Sequence, residues 1–309
     1  MPQIDANGIQ LEYEVSGDPA APPVLLIMGL GAQLTRWPEP FRRALTDAGF
    51  RVIHHDNRDV GRSTRMTQLG VPSLPAAALR AALGLPVRAP YDLGALTADA
   101  VGLLDALGIR SAHIVGASMG GMIAQMLAAN HAGRVRGLVS IMSSSGHRGL
   151  PQPSLGLRLA LIRRPGPGAG RERIIDATVA RLKRLIGPGY PPDDQLLREQ
   201  VAADFDRGYY PAGVARQLLA ILASGSRAPI LGQITAPTLI QHGADDPLIP
   251  VAAAHDLHRR IRGSRLEIFP GMGHDLPRAL VPTLAAQIIE HLRRADVAAP
   301  AGQVSGSAV

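Results

Sequence analysis

The sequence contains no cysteine. That excludes a disulfide framework, a cysteine nucleophile and a cysteine-ligated metal site. Aromatic residues make up only 3% of 309 positions, so a core must be filled mainly by Leu, Ile, Val, Ala and Met. No apolar run approaches the roughly 18 residues needed to cross a bilayer, and no membrane partner is expected. The opening MPQIDANGIQ has neither the basic nor the apolar segment of a secretory signal, which predicts a cytoplasmic protein. Nucleic acid is not expected either. The formal charge is +7 and the excess is largely arginine, densest at Arg158, Arg163, Arg164, Arg171, Arg173, Arg181, Lys183 and Arg184. That patch lacks interleaved aromatics and matches no nucleic-acid module. An arginine-for-lysine bias beside many Ala, Gly and Pro reflects gene base composition instead.

What is present is a globular composition, 46% hydrophobic and 18% charged, long enough for one large domain or a domain with an insertion. Residues Ile4 to Glu14 alternate around Asn7-Gly8 and predict a β-hairpin. Val24 to Met28 is a continuous apolar run, the pattern of a strand buried on both faces. A helix follows over Pro38 to Ala48, then a strand over Arg51 to His54. Residues 64 to 92 are rich in Pro and Ala and read as an excursion with one helix, Ala76 to Leu83. A helix over Leu96 to Leu107 leads to a strand at Ala112 to Val115, and another strand is predicted over Val135 to Met142. This βαβα order implies a parallel sheet with crossover helices.

From 143 to 228 the pattern becomes short helical pieces (Leu155 to Ile162, Arg173 to Leu185, Asp194 to Asp204, Gly213 to Ala223) with no strand. This predicts a helical cap inserted into a core formed by residues 1–142 and 229–296, with 297–309 as a disordered tail. Many Leu, Ile and Ala in the cap suggest an apolar pocket roof, with its charged residues facing water. The sheet resumes at Pro237 to His242 and Arg265 to Phe269, and a last helix spans Pro282 to Ala295.

The chemistry centres on Gly116-Ala117-Ser118-Met119-Gly120-Gly121, between a strand and a helix. A G-x-S-x-G also arises as a plain glycine-rich turn. At a strand-to-helix junction it forms a nucleophile elbow, because only glycine fits the flanking positions of so sharp a turn. Such a turn lifts the Ser118 hydroxyl above the sheet and frees the Met119 N–H to receive an anion. A serine hydroxyl needs a base, usually histidine, oriented by a carboxylate. After the strand ending in Phe269 comes Pro270-Gly271-Met272-Gly273-His274, and His274 is the candidate base. After the preceding strand comes His242-Gly243-Ala244-Asp245-Asp246-Pro247. Asp246 is the preferred acid, stiffened by Pro247; Asp245 remains an alternative, since spacing does not fix register to one residue. The second oxyanion donor is expected at Leu30 N–H, although Gly29-Leu30-Gly31 could be a plain strand-ending turn. Asp56, Arg58, Gly61 and Ser63 read as a structural turn bracing the elbow, with a charged Asp–Arg pair.

The runs VLLIMGLGAQLTRWP, HHDNRDVGRST, VGASMGG and PGMGH together resemble the α/β-hydrolase superfamily over about Ile4 to Ala295, most closely the aclacinomycin methylesterase subgroup. The resemblance implies a mostly parallel eight-stranded sheet flanked by helices, with an inserted cap. It implies Ser118, Asp246 and His274 as a catalytic triad, with Leu30 and Met119 N–H as oxyanion hole. It implies no cofactor and no metal. Two positions depart: Met28 stands where many relatives have His, and Asp59 where many have Gly. The function expected is a serine hydrolase cleaving a carboxylic ester of a small, fairly hydrophobic molecule. The alternatives are a lactonase, a carbon–carbon bond hydrolase or a low-turnover ligand receptor. Oligomeric state is not specified by the sequence.

Overall fold

A computed structural model describes residues 1–162, 166 and 168–298. Asn7 and Gly8 both take positive φ, 52° and 76°, as a type I′ turn requires. They join β1 (Gln3–Ala6) to β2 (Ile9–Ser16), whose far edge pairs antiparallel with β4 (Arg51–His55). The remaining strands, β3 (Pro23–Ile27), β5 (Ala112–Ala117), β6 (Val135–Ile141), β7 (Thr238–Gly243) and β8 (Arg265–Phe269), lie parallel. The eight strands run in the order β1-β2-β4-β3-β5-β6-β7-β8.

Every residue of β5 and β7 is buried, including the polar His113, Thr238, Gln241 and His242, as strands covered on both faces require. The two-residue period of β3 divides the core in two. Val24 and Leu26 pack with Trp37, just before α1 (Glu39–Asp47), with Phe41 and Leu45 of that helix, and with Leu284 and Ile288 of the last helix. Leu25 and Ile27 face the opposite cluster, with α3 (Leu93–Ala106) and α4 (Met119–Asn130). Burial of this kind contributes about 1.5–3 kcal/mol per large side chain.

Boundaries differ from expectation where a side chain sets them. The third long helix starts at Leu93 rather than Leu96, because the Asp92 side chain accepts the Ala95 N–H and caps it. The excursion after β4 carries α2 (Leu74–Ala82). Between β6 and β7 the described residues hold α5 (Leu155–Ile162), α6 (Arg171–Lys183), α7 (Asp194–Gly208), α8 (Pro211–Ser224) and α9 (Ala228–Leu231), and no strand. After β7 come α10 (Ala252–Arg260) and α11 (Val281–Ala298). The last helix therefore runs two residues into the expected tail, and 299–309 lie outside the described residues. Of the arginine-dense patch, Arg163 and Arg164 also lie outside them, while Arg171 and Lys183 make surface ion pairs with Asp206 and Asp194. Among the described residues, no helix is long and apolar enough to cross a membrane.

Candidate active site

Only Ser118 separates β5 from α4, and it takes φ 55° and ψ −117°. A non-glycine residue in that region is strained, and such strain persists only where its surroundings enforce it. They do so here by contact. A Cβ on Gly116 would sit 2.2 Å from the Gly120 carbonyl oxygen, and one on Gly120 would sit 1.9 Å from that of Ile27. The Ser118 N–H donates to the Ile141 carbonyl at 2.9 Å, and its own carbonyl accepts the Ser143 hydroxyl at 2.9 Å.

The carboxyl ends of β7 and β8 bring the partners in. His274 Nδ1 lies 2.7 Å from Asp246 Oδ2, and His274 Nε2 lies 2.9 Å from Ser118 Oγ. A carboxylate only accepts, so Nδ1–H donates to Asp246. Nε2 is then left to accept the Ser118 O–H. Asp246 is held from its other oxygen, where Oδ1 accepts Leu248 N–H at 2.9 Å and Ile249 N–H at 2.8 Å. Asp245 faces away from the imidazole, its Oδ2 accepting Gly271 N–H at 2.8 Å. Of the two neighbouring acids, Asp246 is therefore the one in contact with His274. Burial pushes the His242 imidazole below its ordinary range, against the pull of Asp246, and its Nε2–H donates to the Ile249 carbonyl at 2.7 Å. Asp275, which sequence reasoning passed over, is pushed up to about 6 by burial, with one buried oxygen unpaired.

Both backbone segments expected to hold an oxyanion adjoin the serine. Met119 opens α4, so its N–H has no carbonyl four residues back within the helix. A Cβ on Gly29 would lie 3.1 Å from Ser118 Cβ, which brings the loop carrying Leu30 against Ser118. That loop is pinned at both ends. Asn57 Nδ2 donates to the Met28 carbonyl at 3.0 Å, and Gly31 N–H donates to Gln217 Oε1 at 2.8 Å.

The turn after β4 does not brace the elbow with an internal Asp–Arg pair. Asp56 and Arg58, two residues apart on the turn, face different elements. Asp56 accepts Leu34 N–H at 2.7 Å and pairs with Arg207 of α7 at 2.7 Å. Arg58 instead forks onto Asp99 of α3, at 2.6 and 2.5 Å. Asp59, at φ 68°, forks onto Arg216 of α8 at 2.7 and 2.8 Å. Arg216 is 1% exposed, contrary to the expectation that charges of this insertion face water.

The insertion also grips the histidine loop through backbone alone. His274 N–H donates to the Leu185 carbonyl at 2.7 Å, and Gly189 N–H to the Gly271 carbonyl at 2.9 Å. A Cβ on Gly187 would sit 2.3 Å from the Gly271 oxygen, so this contact requires glycine. Gln217, Arg216 and Gly187 were not found from sequence. Their partners lie far along the chain, and no local pattern marks them. Among the described residues no group of three or more His, Asp or Glu side chains is placed to hold a metal ion.

A serine on a strained strand-to-helix turn, a histidine after the last strand and an eight-stranded, mostly parallel sheet define a hydrolase architecture. The chain belongs to the α/β hydrolase fold family, whose model matches residues 22–277. It is 31% identical over 312 residues to rhodomycin D methylesterase of Streptomyces peucetius, covering 95% of this chain and 98% of that one. This places it with the methylesterase-type subgroup that its motifs resemble. The fold is shared with a meta-cleavage product hydrolase from Pseudomonas fluorescens (TM-score 0.72, 20% identity, 96% of this chain and 98% of that chain). It is shared also with an enol-lactonase from Burkholderia xenovorans (TM-score 0.69, 23% identity, 94% of this chain and 100% of that chain).

Proposed function

We propose that the protein is a serine hydrolase that cleaves a carboxylic ester of a small, fairly hydrophobic molecule through an acyl-enzyme. The observation that carries this is the unbroken relay from Ser118 Oγ through His274 to Asp246, at 2.9 and 2.7 Å. Ser118 attacks the ester carbonyl while His274 Nε2 takes its proton, and Asp246 stabilises the imidazolium that forms. The oxyanion is received by Leu30 and Met119 N–H. His274 returns the proton to the leaving alcohol, then activates a water that hydrolyses the acyl-enzyme and regenerates Ser118. Residues 143–228 act as a cap whose apolar side chains roof the substrate. The similarity to a methylesterase along the whole chain supports an ester as the bond cleaved.

The test is steady-state hydrolysis of a p-nitrophenyl ester series of increasing acyl length by the wild type and Ser118→Ala. Turnover by the wild type and a loss of at least about 10⁴-fold in the variant are expected. Chain-length preference then sizes the pocket. If the wild type is inert although a fluorophosphonate labels Ser118, the nucleophile is active and the ester assignment is wrong. Lactones and vinylogous diketones are then the substrates to assay.

A further inference from the structure

Of the loops that meet at Ser118, the one carrying Leu30 is tied to the insertion twice: farther along, Gln33 and Thr35 bond to Asp204 and Arg207 of α7, and next to Leu30 the fully buried Gln217 of α8 takes hold. Its Oε1 accepts the Gly31 N–H at 2.8 Å, and its Nε2 donates to the Arg58 carbonyl at 2.8 Å. The orientation is set by its partners: reversing the amide would place donor against donor and acceptor against acceptor. Val214, one helical turn earlier, closes the same loop from above, since a Cβ on Gly31 would lie 2.8 Å from its Cγ2. Gly31 itself sits at φ 65°. The peptide that follows Leu30 is therefore oriented by α8, and the plane of the neighbouring Leu30 N–H is fixed with it.

We infer that Gln217 is a positioning residue for the oxyanion hole: by holding Gly31 N–H against the turn after β4, it aims the Leu30 N–H at the reacting carbonyl oxygen. The inference rests on the proposed serine chemistry and assigns to the cap a part in rate, beyond roofing the substrate. Loss of the tether leaves the serine relay intact, because the hydrogen bonds of Gln217 go to Gly31 and Arg58 and none goes to Ser118, His274 or Asp246. The transition state is weakened and ground-state binding is not.

The experiment compares wild type with Gln217→Met, which keeps the volume and removes both hydrogen bonds, and Gln217→Glu, which keeps the acceptor for Gly31 N–H. Deleting a donor outright costs about 10²- to 10³-fold, so loosening one is expected to lower kcat by about 10- to 100-fold with KM within about threefold. The Ki of a trifluoromethyl ketone, which forms the oxyanion, should rise in parallel. The midpoints of the pH–rate profile should stay in place. Gln217→Glu should recover part of the loss. Unchanged kcat in folded Gln217→Met, or a fall in kcat without a parallel rise in that Ki, overturns the inference. Should Gln217→Met fail to fold, Val214→Ala loosens the same loop and is read the same way. The rate of Ser118 labelling by a fluorophosphonate separates the two proposals, because that step also places charge in the hole. A wild type inert on esters but labelled faster than Gln217→Met sinks the ester reading alone. Equal labelling rates sink the role of Gln217.

Discussion

Replacing Asp59 tests whether the insertion is anchored by charge. Both members of the Asp59–Arg216 pair are at most 1% exposed. The carboxylate is saturated: Oδ1 accepts Met66 N–H at 2.7 Å and Arg216, and Oδ2 accepts Tyr91 O–H at 2.7 Å and Arg216. Burial alone would raise the Asp59 carboxyl, but the hydrogen bonds from Arg216, Tyr91 and Met66 hold it below the usual range. Removing one partner of a buried pair strands the other, at a cost of about 3–5 kcal/mol. Arg216 would retain the Gly70 carbonyl at 3.1 Å and the Tyr210 hydroxyl at 2.8 Å, which argues for the lower figure. Asp59→Asn should therefore cost about 3 kcal/mol, or about 5 °C in Tm for a chain of this length. Asp59→Gly should cost about 2–3 kcal/mol, because glycine relieves the positive φ. Arg216→Met combined with Asp59→Gly removes both charges, and the double variant should be more stable than the two single losses predict. Urea unfolding of the wild type, Asp59→Gly, Arg216→Met and the double variant reads the cycle, and Asp59→Asn is measured beside them. A cost below about 1 kcal/mol for Asp59→Asn, or strict additivity in the double variant, would refute the reasoning.

The acid of the relay is checked by a pair of variants. Asp246→Asn should lose about 10³-fold or more in kcat, whereas Asp245→Asn, which disturbs only the Gly271 contact, should stay within about tenfold; the opposite order would reassign the acid. Acid stability is set by buried imidazoles. Burial, with the charge of Arg42 adding to it, pushes His54 down to about 3, and burial takes His55 and His291 to about 4. In the unfolded chain these groups protonate near 6.5, so their contribution is complete above that pH and is lost as pH falls toward 4. The slope is about 1.4 kcal/mol per pH unit for each histidine, and near pH 5 these three take up about three protons on unfolding while Asp275, raised to about 6 in the fold, gives back about one. A urea midpoint that stays flat between pH 7 and 4.5 contradicts this.

Features carried by neighbouring residues were legible in the sequence. The Asn7-Gly8 turn demands positive φ from adjacent residues, and the elbow demands glycine two before and two after one serine. The unbroken apolar run of β3 reads as a strand covered on both faces. The element order that places His274 after the last strand is likewise a property of the chain as written. What escaped depends on partners far along the chain. Asp56 and Arg58 lie so close in sequence that a mutual pair seemed natural, yet each finds its counterpart elsewhere, on α7 and α3. Arg216 carries nothing in its neighbourhood to distinguish it from the water-facing arginines of the same insertion. Gln217 meets Gly31 across 186 positions. The choice between Asp245 and Asp246 needed a direction in space: consecutive side chains diverge, one toward Gly271 and the other toward His274.

These long-range contacts divide the labour at the site. The serine is fixed mainly by the core, since its conformation is enforced by β5, α4, Ile141 of β6 and the backbone of β3, with Ser143 at the first position of the insertion donating to its carbonyl. The two loops that complete the proposed machinery have little internal structure, and each is held by the insertion. Gln217 and Val214 hold the Gly31 loop from α8, while Leu185 and Gly189 hold the His274 loop through main-chain hydrogen bonds. The buried pairs to Asp56 and Asp59 then fix α7 and α8 to the turn after β4. An insertion serving only as a pocket roof would be free to slide without consequence for rate. This insertion is joined to both loops, so under the proposed mechanism displacing it by even 1 Å would misalign the proposed base and oxyanion donors together, and errors of that size cost about 10²-fold. The strained turn at Ser118 would be untouched, and the loss would be of rate far more than of substrate affinity.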